Sequence, residues 1–200
     1  MNKEIIKTIE EFKEFYRNAQ KKRPVSGNEK LSFAPALFSE ADICFHFARI
    51  LGEKLPKCKD WIHIEFPFNK RRLGNYYCKE AKTIDICVVN PQKLSEVLSE
   101  KCPRWEPGFA PFAIEVKMCR VNETLFKKGN KLNSRHPFVK KIEKDINRLN
   151  KMVGKYIGKA IMLIVNDREE PKLSSLEKRK RWEKYDKVDI HIIERETGRG

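Results

Sequence analysis

The segment KAIMLIVND, residues 159–167, constrains the fold most strongly because it is apolar without interruption from Ala160 to Val165. A half-buried strand alternates apolar and polar residues, whereas a strand covered on both faces is apolar throughout. The segment therefore predicts a strand in the middle of a parallel or mixed sheet, with other elements packed on both of its faces.

Most of the remaining chain also carries strand or helix patterns. Four segments are read as further strands: 61–68, 82–89, 111–118 and 187–194. Four segments are read as helices: 4–22, about 39–55, 138–153 and about 173–184. The period-two alternation is clearest in WIHIEFPF at 61–68, and the helical stripe is clearest over 138–153.

The order of these elements places the chain in the α/β class. A length of 200 residues fits one domain with one substantial core. We expect a single domain whose mixed central sheet is flanked by helices, with a core at about 38–166 and peripheral segments at 4–22 and 171–194. Residues 119–136 are polar and basic without periodicity, which predicts a mobile loop.

The charge balance points to a polyanionic partner. The chain has 43 Lys and Arg against 28 Asp and Glu, a net charge of +15, and its pI is near 9.6. Such a field attracts phosphate backbones without conferring sequence recognition. A nucleic acid is the expected partner, DNA in preference to RNA, while a ribosome-associated or a lipid-facing protein stays open on charge alone.

The compartment is inferred from the cysteines and from the hydropathy of the chain. The six cysteines are spaced at least nine positions apart, so no zinc-type pair is present, and the charged N-terminus lacks the apolar run of a signal peptide. No apolar stretch approaches the ~20 residues that span a bilayer. We expect a soluble, cytoplasmic protein with reduced thiols and no membrane partner.

Two acidic residues interrupt otherwise apolar strands. Asp85 lies within KTIDICVV, and Glu115 lies within PFAIEVKM, two positions before Lys117. Burying a carboxylate costs several kcal/mol unless a cation or hydrogen bonds compensate it. Because alternate residues of a strand share a face, Glu115 and Lys117 project into one space, and such a set of charges suits metal-assisted hydrolysis of a phosphodiester.

A purely structural explanation of the same residues stays open. Glu115 and Lys117 would then form a buried salt bridge, and Asp85 would cap the end of its strand. Pairs of this kind at i and i+2 are common in strands.

With its elements in this order, the chain resembles the PD-(D/E)XK nuclease superfamily, whose restriction-endonuclease-like core is αβββαβ. The resemblance covers roughly residues 38–166, and Asp85, Glu115 and Lys117 match the residues in the family name. Ile84 stands at the position of its proline, which makes no metal contact. The resemblance implies that Asp85, Glu115 and the carbonyl of Val116 bind Mg²⁺, for which Mn²⁺ substitutes, and that Lys117 positions the attacking water.

Many members of that superfamily also carry an acidic residue on the first core helix, and Glu40 is the candidate for it. Glu40 shares a helical stripe with Cys44, Phe47 and Leu51, so it is expected to face the sheet and to serve as a further catalytic and metal-binding residue. Asp42 points elsewhere and forms a capping pattern with Ser39.

Lys141, Lys144 and Arg148 form a basic ridge on the helix at 138–153, and this ridge is the candidate contact for nucleic-acid phosphates. A solvated helix face is the alternative. Asp145, at the border of the apolar stripe, is explained by an ion pair with Lys141 or Arg148. Glu65 is a minor candidate for a further metal ligand.

The sequence thus predicts a Mg²⁺-dependent endonuclease that hydrolyses DNA, either as a monomer or as a homodimer. Two other hypotheses stay open: a basic nucleic-acid-binding or assembly subunit without chemistry, and a nuclease that acts on RNA.

Overall fold

The structure is a computed structural model. It describes residues 2–21, 39–67, 83–93, 110–119, 126–127, 131–132, 136–167, 182 and 184–195. Predictions for the helix at 173–184 fall almost entirely outside these residues.

A five-stranded mixed sheet forms the centre of the described fold. In order across the sheet, its strands are β1 (Ile62–Pro67), β2 (Thr83–Val88), β3 (Ala110–Cys119), β6 (Ile157–Asn166) and β7 (Val188–Glu194). The pairs β1/β2 and β2/β3 are antiparallel, and β6 runs parallel to both β3 and β7. The apolar segment that begins near Lys159 is therefore an interior strand, as its composition predicts.

Within the described residues, three α-helices lie on the sheet: α1 (Asn2–Lys21), α2 (Glu40–Lys54) and α3 (Pro137–Met152). A 3₁₀ turn, Pro56–Trp61, joins α2 to β1. The bounds of the helices and strands agree with the sequence patterns to within about two residues, which confirms the α/β class and the flanked mixed sheet.

The buried side chains divide into two clusters, one on each face of the sheet. α1 and α2 contribute Phe12 and Phe47 to one cluster, which also holds Ile114 and Val116 of β3. α3 contributes Ile146 to the other, which includes Ala113 of β3. Alternate residues of β3 thus enter opposite clusters, so the predicted separation of the two faces of this strand is confirmed.

The ladder between β2 and β3 ends before either strand does. The paired residues run from Val88↔Phe112 to Ile86↔Ile114, whereas β2 remains paired with β1 as far as Thr83. The first position beyond the β2/β3 ladder on β2 is Asp85. β2 and β3 therefore separate at Asp85. Beyond this level, β3 is paired with β6 but no longer with β2.

One part of the predicted loop at 119–136 is instead a small antiparallel ladder. Phe126–Lys127 (β4) pairs with Lys131–Leu132 (β5). Strands of two residues are too short to show a period, so hydropathy did not predict this ladder within the expected mobile loop. In the described part of the chain, no helix is long and apolar enough to cross a membrane.

The start of α2 is fixed by its first turn. The Ser39 hydroxyl accepts a hydrogen bond from the backbone N–H of Asp42 at 3.2 Å and donates one to the Asp42 carboxylate at 2.8 Å. This satisfies one of the free N–H groups at the helix start and confirms the capping function of Asp42. It also sets the position of Glu40, the first residue of α2.

Replacing Ser39 by Ala is expected to lower the free energy of unfolding by about 1 kcal/mol, because the Asp42 N–H loses its acceptor. Urea unfolding measures the change, and Ser39→Asn is the control because Asn caps a helix equally well. Equal stability of Ser39→Ala and the wild type would show that the cap does not stabilise the start of α2.

Candidate active site

Two carboxylates bind backbone N–H groups of β3 beyond the point where β2 separates from it. Asp85 Oδ2 accepts a hydrogen bond from Val116 N at 2.7 Å, and Glu40 Oε1 accepts one from Met118 N at 3.2 Å. A buried donor without a partner is costly, so both acids stabilise the open edge of β3. The same bonds hold the two carboxylates at the division of the sheet.

The ammonium of Lys117 lies among oxygens from three elements of the fold. Lys117 Nζ donates hydrogen bonds to the Val116 carbonyl at 2.7 Å and to Glu115 Oε1 at 3.0 Å. Asp145 Oδ2 lies 3.5 Å from Nζ, and Asp85 Oδ2 lies 3.6 Å away. The Lys117 side chain is only 4% exposed, so four oxygens converge on one buried cation.

α3 supplies a second cation and a further carboxylate. Arg148 Nη2 lies 2.8 Å from Glu115 Oε1 and 3.3 Å from Asp145 Oδ1. These are close ion pairs without aligned hydrogen bonds, since neither Arg148 Nε nor Nη2 has a hydrogen-bond partner among the described residues. Glu115 Oε1 thus meets two cations, while Oε2 of the same carboxylate is buried and has no hydrogen-bond partner in that part of the chain.

The surroundings shift the pKa of Glu115 and of Lys117. Burial raises the pKa of Glu115 above 4.5, Asp85 raises it further, and Lys117 and Arg148 oppose the rise without cancelling it. Burial would lower the pKa of Lys117, but Glu115 and Asp85, with smaller contributions from Glu40 and Asp145, outweigh it and raise that pKa. Lys117 is therefore charged at neutral pH, whereas the ionised form of Glu115 is poorly stabilised.

The described cluster holds more acids than bases. Asp85, Glu115, Asp145 and Glu40 face only Lys117 and Arg148, so the fully ionised cluster carries two more negative charges than positive ones. An excess of charge that is partly buried costs free energy unless solvent or another cation compensates it. This excess and Glu115 Oε2 are the features of the cluster that bear on whether it could hold a further cation.

The donors present fit a hard cation in type. Mg²⁺ takes oxygen ligands, and the carboxylates of Asp85 and Glu115 and the carbonyl of Val116 all lie within 3.6 Å of one point, the Lys117 ammonium. As they stand, no three His, Cys, Asp or Glu side chains among the described residues could hold a metal ion. The ammonium lies among the donors, so it has to move before a metal ion can bind there.

The structure thus brings Asp85, Glu115, Val116 and Lys117 together. Glu40 contacts β3 one position beyond Lys117, on the edge where β2 has separated. Its helix neighbour Cys44 is buried, and burial together with Asp85 and Glu40 raises the pKa of its thiol, so a thiolate is disfavoured there.

Of the three residues in the predicted basic ridge, two are exposed to solvent and one contacts the candidate site. Lys141 and Lys144 are exposed, whereas Arg148 is turned toward Glu115. Glu65 is exposed and has a left-handed backbone with φ of 53°. The pairing of β1 with β2 is interrupted at Glu65, the position opposite Asp85.

Asp145 is the site residue that sequence reasoning undervalued. The expected ion pair with Arg148 is present, but the Asp145 side chain is only 9% exposed and also lies beside Lys117. An acid at the edge of an apolar helical stripe was the available signal. The position of Asp145 beside Lys117 of β3 results from tertiary packing, which hydrophobic periodicity does not encode.

Comparison of the chain with models of known protein families, with curated proteins and with solved structures finds no match in any of the three. The function therefore has to be inferred from the residues and their arrangement.

Replacing Lys117 by Met is expected to lower the free energy of unfolding by about 3–5 kcal/mol, because the buried carboxylates lose their central cation. Urea unfolding measures the loss. Lys141→Met is the matched control, and as an exposed substitution it should change stability by less than about 0.5 kcal/mol.

The penalty in Lys117→Met should be smaller at pH 5 than at pH 8. The folded-state pKa of Glu115 lies above its ordinary 4.5, so the folded protein binds this proton more tightly and the contribution of Glu115 to stability falls as pH rises above that value. Loss of Lys117, which lowers this pKa, enlarges the effect. A penalty that grows on acidification would contradict the assignment.

Proposed function

We propose that this protein is a Mg²⁺-dependent endonuclease that hydrolyses phosphodiester bonds of DNA with a PD-(D/E)XK site. The observation that carries the proposal is the convergence of Asp85, Glu115 and the Val116 carbonyl on one buried cation where β2 and β3 part. The cluster combines oxygen donors, an excess of negative charge and a permanent positive charge, which are the components of metal-assisted phosphodiester hydrolysis.

The order of the elements supports the restriction-endonuclease-like reading. α2, the three antiparallel strands β1 to β3, α3 and β6 follow one another as the αβββαβ pattern requires. The acids and the lysine lie on the second and third of these strands, and Glu40 lies on the first helix. This is the distribution that the resemblance implies.

Asp85, Glu115 and the Val116 carbonyl would hold the metal ion, with Glu40 beside them. Bound Mg²⁺ would polarise a phosphoryl oxygen and lower the pKa of a coordinated water. Glu115 Oε2, which lacks a hydrogen-bond partner, is a free donor for this purpose. Its two neighbouring cations limit the cost of keeping Glu115 ionised in a buried position.

Lys117 acts as a charged donor in this proposal. Its raised pKa keeps the ammonium protonated at neutral pH, so it does not serve as a general base. Once Lys117 has left the oxygens that now surround it, the ammonium can orient the attacking water. It can also stabilise the negative charge that develops on the phosphate.

The positive charge of the rest of the surface favours a nucleic acid as the partner. The chain carries a net charge of +15, and Lys141 and Lys144 lie exposed on the helix that lines the site. Lysines in such a place neutralise phosphates without reading the bases. DNA is proposed as the substrate in preference to RNA.

A specific observation also favours a second candidate, a basic nucleic-acid-binding subunit without chemistry. Glu115 and Lys117 pair directly at 3.0 Å, and Asp85 and Glu40 both satisfy backbone donors of β3. Every one of these contacts is also what a purely structural cluster would make. The two candidates differ in whether a divalent cation displaces Lys117.

Asp85→Asn separates catalysis from folding, because the side-chain amide oxygen can still accept the hydrogen bond from Val116 N. We expect cleavage to fall by more than about 100-fold, since loss of a direct ligand should cost at least as much as loss of an outer-shell partner. Mn²⁺ binding, followed by electron paramagnetic resonance, should weaken in parallel. Asp189→Asn, on the exposed part of β7, is the matched control and should behave like the wild type.

The substrates to be tested are double-stranded, single-stranded and branched DNA, and RNA. Wild-type protein that leaves all of them intact with both Mg²⁺ and Mn²⁺, and binds neither ion, would support the non-catalytic candidate. If the protein cleaves RNA in preference to DNA, the proposed mechanism stands and the substrate is RNA.

Lys141→Gln and Lys144→Gln should each weaken binding uniformly across DNA sequences. Each loss of a phosphate contact should reduce the slope of log affinity against log salt by about 1. Lys7→Gln is the control, since Lys7 is exposed on α1 on the opposite face of the sheet. If the slope of log affinity against log salt is the same for all three variants, the basic ridge does not contact the DNA.

A further inference from the structure

Arg148 lies where the basic ridge of α3 meets the carboxylate cluster. Lys141, Lys144 and Arg148 fall within about 60° of one another around the helix axis, and Lys141 and Arg148 are about 10 Å apart along it. The two lysines are exposed, whereas Arg148 contacts Glu115 and Asp145. A phosphate backbone that follows the lysines is thereby led to Arg148.

Of the two cations in the cluster, Arg148 is the one in contact with solvent. Its side chain is 21% exposed, compared with 4% for Lys117. Lys117 is also surrounded by four oxygens, so it can meet a phosphate only after leaving them. Part of the Arg148 side chain therefore already lies at the surface, although its Nε and Nη2 atoms are buried.

The guanidinium retains unused capacity to bind an anion. Arginine carries five N–H donors in a planar fork that matches phosphate oxygens. Among the described residues, Nε and Nη2 have no hydrogen-bond partner, although both are buried and Nη2 is close to two carboxylates. Glu115 and Asp145 thus hold the guanidinium in place by charge, and a phosphate oxygen that enters the cluster could accept a hydrogen bond from these donors.

We propose that Arg148 is a further catalytic residue, one that donates hydrogen bonds to a non-bridging oxygen of the phosphate being cleaved. Asp145 is its positioning residue, because it holds Arg148 and Lys117 from the same side. The proposal rests on the proposed nuclease function and adds to it the group that contacts the phosphate. A donor placed where charge develops stabilises the transition state more than the bound substrate.

The test compares Arg148→Met and Arg148→Lys with Arg49→Met, the same change at an exposed arginine of α2 that pairs with Glu53. Single-turnover cleavage with Mg²⁺ should fall by about 100-fold or more in Arg148→Met. Arg148→Lys keeps the charge but loses the fork, so it should fold and remain well below the wild type. Arg49→Met should cleave normally.

Mn²⁺ affinity distinguishes direct contact of Arg148 with the phosphate from a simpler function, the orientation of Glu115. We expect it to stay within about 3-fold of the wild type in Arg148→Lys while the cleavage rate falls. A parallel loss of Mn²⁺ affinity that excess Mn²⁺ corrects would overturn the proposal, because Arg148 would then only orient Glu115. Normal cleavage by both Arg148 variants would overturn it as well.

Failure of the underlying function gives a different result. If the wild type and Arg49→Met both fail to cleave any substrate, the nuclease proposal falls, and Arg148 falls with it. If they cleave and Arg148→Lys cleaves equally well, only the assignment of Arg148 is wrong.

Discussion

The buried ammonium of Lys117 is the interaction on which the site depends. It brings together Asp85 from β2, Glu115 from β3 and Asp145 from α3, three acids that would otherwise repel one another in a poorly solvated space. Arg148 supports it from the helix side. Because each partner is supplied by a different element, the ion pairs also fix how α3 lies against the sheet.

The division of the sheet creates the space in which these charges meet. β2 leaves β3 after Ile86, and the backbone donors exposed on β3 are then bound by Asp85 and Glu40. These two acids therefore stabilise the fold through hydrogen bonds to the backbone. Such bonds help to explain how a cluster with an excess of negative charge can persist within the α/β structure, and they leave the same oxygens near the proposed metal site.

The net charge of the whole chain and the local charge of the cluster have opposite signs. Over the whole chain the net charge is +15, which attracts a polyanion, whereas the cluster beneath α3 is locally negative. A phosphate backbone drawn to the basic surface would be repelled by these acids unless a cation stands between them. The proposed divalent ion, together with Arg148 and Lys117, would supply that positive layer.

Hydrophobic periodicity predicted the described long helices and strands, the two faces of β3 and the interior position of β6, because it reports directly which side of an element is buried. The sequence also singled out Asp85, Glu115 and Lys117, since charges within apolar strands require partners. It did not determine that Arg148 leaves the exposed ridge, that Asp145 joins the cluster or that four oxygens close around Lys117. These contacts arise from the packing of α3 on the sheet, which joins residues that are distant in the chain.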